Sequence, residues 1–204
     1  AESLPIKMED YVEIKSYTHH PFYSKFILEV PDNWMWDAMY NIPMGEMMAI
    51  VDACIEAGHP VAWGTDVSEK GFSRQKAIAV IPEVVEKNTI GSDAEHWGKL
   101  SDAEKQAMIN NLEGPMKEKT ITQEMRQEAY DNYLTTDDHG MVIVGTAEDQ
   151  AGNPFFKVQN SWGESGPYKG FYYFSLPFFE YKTMDIMVHK SMVPKEIMKK
   201  IGLK

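Results

Sequence analysis

Three short segments between Asp137 and Phe174 decide the fold of this chain: DDHGMVIVG at 137–145, FFKVQNSWG at 155–163 and KGFYYF at 169–174. Each contains a short run of apolar, β-branched or aromatic residues, and a turn rich in Glu, Asp, Gly, Asn and Pro separates the first two. The pattern predicts three strands, of which the first two form a tight antiparallel pair. Such a pair brings the start of one strand beside the end of the next.

This pairing predicts a histidine beside an asparagine. His139 opens the first strand and Asn160 follows the second, so we expect the two side chains to be neighbours in space. The amide oxygen can accept the ring N–H, which fixes the tautomer and leaves the other ring nitrogen as a base. A lone histidine at a strand start is usually structural, but the Asp-His-Gly and Asn-Ser-Trp-Gly motifs together favour a chemical role.

The order of these motifs resembles that of the papain-like cysteine peptidases, in the branch of bleomycin hydrolase and aminopeptidase C. The resemblance rests on His139-Gly140, Asn160-Ser161-Trp162-Gly163 and Lys169-Gly170-Phe171, with further segments at 17–23, 30–34, 61–69 and 193–196. These segments span most of the chain. The resemblance implies an α+β protein with the papain-like cysteine peptidase fold, represented by its antiparallel β-barrel half with a core helix and a helical insertion.

The resemblance also implies roles for single residues. It implies that His139 is the general base and later the general acid, and that Asn160 orients the imidazole ring. Trp162 matches the family indole that covers the His–Asn hydrogen bond, where the exclusion of water strengthens the bond. Asp138 matches the residue before the histidine in many of these enzymes, which implies a modest electrostatic role. We expect no cofactor and no metal ion.

The cysteine nucleophile of this family has no counterpart in the sequence. In the family it lies far upstream of the histidine, beside an aromatic residue and shortly after a glutamine. The single cysteine here, Cys54, lies among apolar residues at helical spacing, so we expect a small buried hydrophobe on a core helix. The simplest interpretation is the C-terminal half of an aminopeptidase-like cysteine peptidase, which is inactive without the N-terminal half that carries the nucleophile.

Two alternatives stay open. The chain could be a non-catalytic module or pseudopeptidase remnant that kept the fold without the nucleophile, although the retention of Asn160 and Trp162 speaks against this. Cys54 could also be the nucleophile of a compact hydrolase. That interpretation requires an exposed cysteine in an electropositive setting near His139.

Composition limits the partners of the chain. The sequence has 31 acidic and 20 basic residues and a net charge of −11, which argues against binding to nucleic acid.

No apolar run approaches the roughly 20 residues that span a bilayer, and the first residues lack the regions of a signal peptide. We expect a soluble protein, cytoplasmic rather than periplasmic or secreted, although an absent N-terminal part would leave those two compartments open. The expected partners are a peptide substrate, the N-terminal half and, through the helical insertion, other copies of the chain.

The chain divides into a barrel half at 1–69 and 135–190 with a helix at 43–57, a helical insertion at 70–134 and a tail at 191–204. Further helices are predicted at 75–87, 101–112, 122–133 and 194–200. The second and third of these begin with capping signals. The tail is short and basic, so the resemblance implies a weaker hold on the free amine of a substrate than the longer apolar arm of the family provides.

Overall fold

The computed structural model describes residues 6–30, 33, 36–83, 100–137 and 139–203. Its strands are β1 Tyr11–Lys15, β2 Ser24–Ile27, β3 Ala38–Asn41, β4 Val61–Thr65, β5 Phe72–Ser73, β6 Ile78–Ala79, β7 His139–Glu148, β8 Pro154–Gln159, β9 Phe171–Ser175 and β10 Thr183–His189. Its α-helices are α1 Met44–Glu56, α2 Asp102–Asn110, α3 Gln123–Asp131, α4 Leu176–Lys182 and α5 Lys195–Ile201. The strands form one ten-stranded sheet in the order β2-β3-β1-β10-β4-β7-β8-β9-β6-β5.

The long strand β7 lies near the middle of this sheet. It pairs antiparallel with β4 on one side and with β8 on the other, where Val142 lies opposite Gln159 and Glu148 lies opposite Pro154. The predicted tight antiparallel pair is therefore confirmed. The pairs β1–β3 and β6–β9 run parallel, and the other neighbouring strands run antiparallel.

Helix α1 supplies the core beneath the central strands. It buries Met47, Ile50, Val51 and Cys54 completely, at the i, i+3, i+4, i+7 spacing of an amphipathic helix. These side chains belong to the same apolar cluster as the buried residues of β4, β7 and β8. The expectation that Cys54 is a buried residue of a core helix is therefore confirmed.

Capping residues determine where α2 and α3 begin. Ser101 and Glu104 form a reciprocal capping box at the start of α2. The side chain of Thr122 accepts a hydrogen bond from Met125 N at the start of α3. Both helices agree with the helices predicted at 101–112 and 122–133, because local signals are sufficient to specify their starts.

The helix predicted at 75–87 is wrong over the residues that the structure describes. Ile78–Ala79 form β6 instead, which pairs in parallel with β9 and antiparallel with β5. The run that ends at Pro82 is apolar and β-branched, and the exposed edge of β9 offers it backbone partners, so tertiary pairing overrides helical propensity. Two short strands within 70–134 thus belong to the sheet. The bounds of the predicted insertion stay a prediction.

Helix α4 joins β9 to β10, where sequence periodicity predicts no helix. The side chain of Ser175 accepts a hydrogen bond from Phe178 N at its start, and Pro177 lies in its first turn. Phe178 and Phe179 are fully buried. The burial of this aromatic pair stabilises a helix that is too short to show an amphipathic pattern.

Helix α5 packs against the main core rather than extending from it. Its residues Ile197 and Ile201 are buried in the same cluster as α1.

Among the helices in the described part of the chain, none is long and apolar enough to cross a membrane.

Candidate active site

His139 and Asn160 meet where β7 begins and β8 ends. The distance between His139 Nε2 and Asn160 Oδ1 is 2.7 Å, so the ring N–H donates to the amide oxygen. The predicted proximity of the two side chains is confirmed. In a neutral ring this hydrogen bond keeps the proton on Nε2 and leaves Nδ1 as an acceptor, which is the state that a general base requires.

The loop after Asn160 holds this side chain in place. Asn160 is only 5% exposed, and its backbone N–H donates to the carbonyl of Gly170 over 3.0 Å. Gly170 has a φ of +88°, and a Cβ at this position would lie 2.3 Å from the carbonyl oxygen of Gly163. Only glycine fits such a position. The loop therefore folds back tightly on itself, which fixes Asn160 and the nearby Trp162.

Trp162 packs against the histidine. The ring centroids of Trp162 and His139 are 4.8 Å apart, and Phe72 and Tyr172 each approach the indole at 6.0 Å in edge-on geometry. The guanidinium of Arg74 lies 4.0 Å from the centroid of the indole. The expected cover beside the His–Asn pair is present, and Arg74 adds a cation that sequence analysis does not predict.

An open cleft of about 730 Å³ lies beside the His–Asn pair. Its walls come from β4, β7 and β10 and from the residues around Asn160. The lining residues are Ala62, Trp63, Gly64, Asp137, His139, Gly140, Met141, Val142, Gln159, Asn160, Ser161, Asp185 and Met187. A cleft of this size can take several atoms of a ligand next to the imidazole ring.

The cleft is acidic because two carboxylates line it. Asp137 and Asp185 border the same cavity as His139. Burial and, to a smaller extent, the negative charges of Asp137 and Glu13 raise the pKa of Asp185 to about 7, although the positive charges of Lys15 and Arg126 oppose this rise. Sequence analysis predicts neither acidic residue for the site. The local signal for Asp185 is Gly64 in strand β4, because a glycine inside a strand indicates that another group packs closely against the backbone. Here that group is the carboxylate of Asp185.

Cys54 does not lie in this cleft. It is fully buried on α1, and burial raises the pKa of its thiol to about 11. A reactive cysteine needs the opposite setting, with exposure and nearby positive charge that favour the thiolate. The alternative in which Cys54 is the nucleophile of a compact hydrolase is therefore wrong.

Two further points concern Asp138 and metal ligands. Asp138 lies outside the described residues, so its electrostatic role stays a prediction. Within the described residues, no group of three or more His, Cys, Asp or Glu side chains is arranged to hold a metal ion.

Comparisons with known proteins identify a family and several relatives that this chain resembles. A family model described as the peptidase C1-like family matches residues 118–203. Aminopeptidase G of Lactobacillus delbrueckii subsp. lactis is 36% identical over 58 residues, which are 28% of this chain and 13% of that protein. Aminopeptidase C of Streptococcus thermophilus is 24% identical over 199 residues, which are 94% of this chain and 38% of that protein.

A solved structure shares the fold. The crystal structure of PepW from Lactobacillus rhamnosis HN001 superposes with a TM-score of 0.65 at 20% identity, over 97% of this chain and 39% of the PepW chain. The predicted α+β class is thereby confirmed. The chain spans about two fifths of the length of PepW and of aminopeptidase C.

Proposed function

This chain carries a region of the peptidase C1-like family, in the papain-like branch of aminopeptidase C, and from that premise we propose that it supplies the catalytic base of a cysteine peptidase. The observation that carries the proposal is the 2.7 Å hydrogen bond from His139 Nε2 to Asn160 Oδ1 beside an open cleft. When the neutral ring carries its proton on Nε2, Nδ1 is unprotonated and can accept a proton from a thiol, as thiolate acyl transfer requires.

In the proposed reaction, His139 Nδ1 takes the proton of a cysteine thiol that belongs to a part of the protein outside this chain. The resulting imidazolium stabilises the thiolate, which attacks the carbonyl carbon of a peptide bond. His139 then returns the proton to the leaving amine, and an acyl-enzyme forms. Finally, His139 removes a proton from a water molecule that hydrolyses this thioester, and the thiol is regenerated.

Asn160 and Trp162 act on the base in this scheme. The Asn160 oxygen keeps the proton on Nε2 while the ring is neutral and accepts a hydrogen bond from the imidazolium when it forms. Trp162 packs on His139 and limits the access of water, which strengthens the hydrogen bond in a lower local dielectric. Because the related proteins are named aminopeptidases, we propose that the substrates are peptides cleaved near their amino terminus.

A second candidate function is that of a non-catalytic module. The observation that favours it is the burial of Cys54, the only cysteine of the sequence, in the core, where it is not available as a nucleophile. Hydrolysis of peptides by the intact protein would favour the peptidase, and its absence would favour the non-catalytic module.

The test is a set of substitutions in the intact protein, assayed on aminoacyl and peptidyl substrates. We expect His139→Ala to lower kcat by roughly a thousandfold or more, because the covalent route loses its base, and Asn160→Ala to lower it by a smaller factor. His59→Ala, at an exposed histidine that does not line the cleft, is the matched control and should have little effect. Equal activity in wild type and His139→Ala would contradict the catalytic role, and the absence of any turnover would favour the non-catalytic module.

A further inference from the structure

A buried cluster of charges lies outside the cleft, at the point where β4 ends. It consists of Lys182, the last residue of α4, and two carboxylates that follow β4, Asp66 and Glu69. Lys182 Nζ lies 3.7 Å from Asp66 Oδ2 and 3.5 Å from Glu69 Oε2, and the side chains of Lys182 and Asp66 are only 2% and 1% exposed. None of the three residues lines the cleft beside His139. Any effect on the site must therefore pass through the backbone that the cluster holds.

The cluster holds the irregular segment that connects α3 to β7. The carbonyl of Leu134 accepts a hydrogen bond from Lys182 Nζ, and Thr136 N–H donates to Asp66 Oδ2 over 2.9 Å. Between these two residues, Thr135 N–H donates over 2.9 Å to a carbonyl of α3. Three consecutive residues are thus tied to three different parts of the fold, namely the end of α4, helix α3 and the end of β4.

This segment leads directly into His139. Strand β7 begins at His139, which lies opposite Thr65, the residue before Asp66. Thr65 is fully buried, and its hydroxyl donates to the carbonyl of Lys182 over 2.9 Å. The end of an element opens more easily than its middle. Here the end of β4 holds the backbone of His139 by strand pairing, and the next residue along the chain holds the backbone of Thr136 by its carboxylate.

Stability alone gives little reason for a buried ion pair at this place. Removing two charges from water is costly, and the replacement of such a pair by apolar residues of similar volume is often neutral or stabilising. The two charges do supply charge-assisted hydrogen bonds to backbone groups, which are shorter and stronger than neutral ones. Such bonds suit a segment that must hold a catalytic base, because a displacement of about 1 Å can lower the rate by about a hundredfold.

We propose that Lys182 and Asp66 are positioning residues for His139, and this role rests on the peptidase function proposed above. They tie the segment 134–136 to the end of β4. They thereby fix the backbone from which the imidazole reaches Asn160 Oδ1, and with it the direction of Nδ1. Glu69, whose side chain is 23% exposed, supports Lys182 from the solvent side.

The first test is Lys182→Met in the intact protein, which removes the cation and leaves the carbonyl of Leu134 without its donor. We expect kcat to fall by at least about tenfold, because the base is misplaced, and KM to change by less than about twofold, because the cleft keeps its lining. Nuclear magnetic resonance of protein labelled with ¹⁵N-histidine observes the ring of His139 directly, and His139→Ala assigns its signals. We expect Lys182→Met to shift or broaden the signal of the Nε2 proton that binds Asn160.

The double variant Asp66→Asn/Lys182→Met separates positioning from stability. It removes both buried charges, so its urea midpoint should lie closer to that of the wild type than the midpoint of Lys182→Met does. The kcat and the His139 signals should not recover, since the Leu134 carbonyl still lacks its donor. A purely structural pair would recover activity together with stability. The double variant also decides the question if Lys182→Met alone does not fold.

Two control variants match the two effects of the substitution. Lys190 follows β10 at its other end and makes the same kinds of contact, at 3.5 Å to Asp10 Oδ1 and 2.9 Å to the carbonyl of Glu9. Lys190→Met should therefore keep kcat and the His139 signals. Ile197→Ala lowers the urea midpoint by leaving a cavity beneath α5, outside the charge cluster. It should also keep both readouts at a temperature where the protein is folded.

The outcomes distinguish the positioning role from the proposed function. Wild-type kcat and wild-type His139 signals in Lys182→Met, or in the double variant, would overturn the positioning role. Equal losses in Ile197→Ala and Lys182→Met at equal stability would overturn it as well. If the intact wild-type protein hydrolyses no peptide, the peptidase function is contradicted, and the His139 signals of the variants decide the positioning role by themselves.

Discussion

At the scale of single residues, Arg74 contacts Trp162, which in turn packs against His139, the proposed base. Its guanidinium lies 4.0 Å from the indole centroid, and the indole lies 4.8 Å from the ring of His139. Arg74 itself is exposed, and a cation over an aromatic ring at an exposed site contributes about 0.5–1 kcal/mol. We therefore expect Arg74 to be a positioning residue. It limits the movement of the indole and so affects His139 only through Trp162.

We expect Arg74→Met to lower kcat of the intact enzyme by about two- to fivefold, with KM unchanged, because it loosens Trp162 and leaves the cleft intact. Arg74→Lys keeps the positive charge and should recover most of the loss. The measurements are steady-state kinetics and the pH profile of kcat/KM, in which Arg74→Met should shift the limb that reports the base. An increase in KM alone would show that Arg74 contacts the substrate and does not position the indole.

The sequence predicts some of these residues and not others, for a geometric reason. His139 and Asn160 could be predicted because one hairpin brings them together, and the register of a hairpin follows from a local turn. Asp185 reaches the site only because β10 lies beside β4, and Arg74 reaches it because it follows β5 near the Trp162 loop. No local sequence pattern predicts which strands are neighbours in the sheet. Only Gly64 indicates a close contact at its position, which the carboxylate of Asp185 makes.

At the scale of secondary structure elements, Glu118 joins the middle segment of the chain to the sheet. Its Oε2 accepts hydrogen bonds from Ile81 N and from Ser175 Oγ, each over 2.6 Å. Burial raises the pKa of Glu118 from 4.5 to about 7, and the two hydrogen bonds oppose this rise only in part. The hydrogen bonds between the segment after α2 and the end of β9 therefore depend on the carboxyl group of Glu118, which stays mostly protonated below about pH 7 in the folded chain.

The stability of the protein should consequently fall as the pH rises through this range. Between about pH 4.5 and 7 the folded state holds the proton of Glu118, whereas the unfolded chain has lost it, so the free energy of unfolding decreases with pH and levels off above about 7. Glu118→Gln keeps an acceptor oxygen and removes the titration. It should flatten the profile by an amount on the order of 1–3 kcal/mol.

Urea unfolding at a series of pH values measures this effect. Asp185 contributes a slope of the same sign, so the informative quantity is the difference between wild type and Glu118→Gln. Glu113→Gln, at an exposed position in the same segment, is the control and should run parallel to the wild type. Parallel profiles for Glu118→Gln and wild type would show that the Glu118 carboxyl titrates alike in the folded and unfolded chain.

The accuracy of the predicted elements follows the same division between local and non-local causes. Helices α2 and α3 begin at capping residues that can be read directly from the sequence. Strand β6 and helix α4 depend on partners that are distant in the chain, namely the edge of β9 and the pocket that buries Phe178 and Phe179. Local propensity favours a helix for the first of these segments and no helix for the second, and burial and backbone pairing reverse both preferences.

At the scale of the whole molecule, the candidate site is an open cleft on the sheet. His139, the proposed base, and the acidic cleft lie along β4, β7 and β10, Asn160 follows β8, and the single cysteine of the sequence is buried on α1. In the proposed function, a second part of the protein must bring the thiol to the open side of this cleft. Assembly of copies through the segment 70–134 stays a prediction.

The last prediction concerns the 204-residue chain by itself. We expect it not to hydrolyse aminoacyl or peptidyl substrates, because a base without a nucleophile has no covalent route. Iodoacetamide should leave Cys54 unmodified in the folded chain, since the thiol is fully buried and its pKa is raised to about 11, and should modify it readily in denaturant. Mass spectrometry measures the modification, and Cys54→Ala is the control for both assays. Hydrolysis by the purified chain that disappears in Cys54→Ala would show that this cysteine reaches the cleft, and it would contradict the division of the catalytic groups between two parts of the protein.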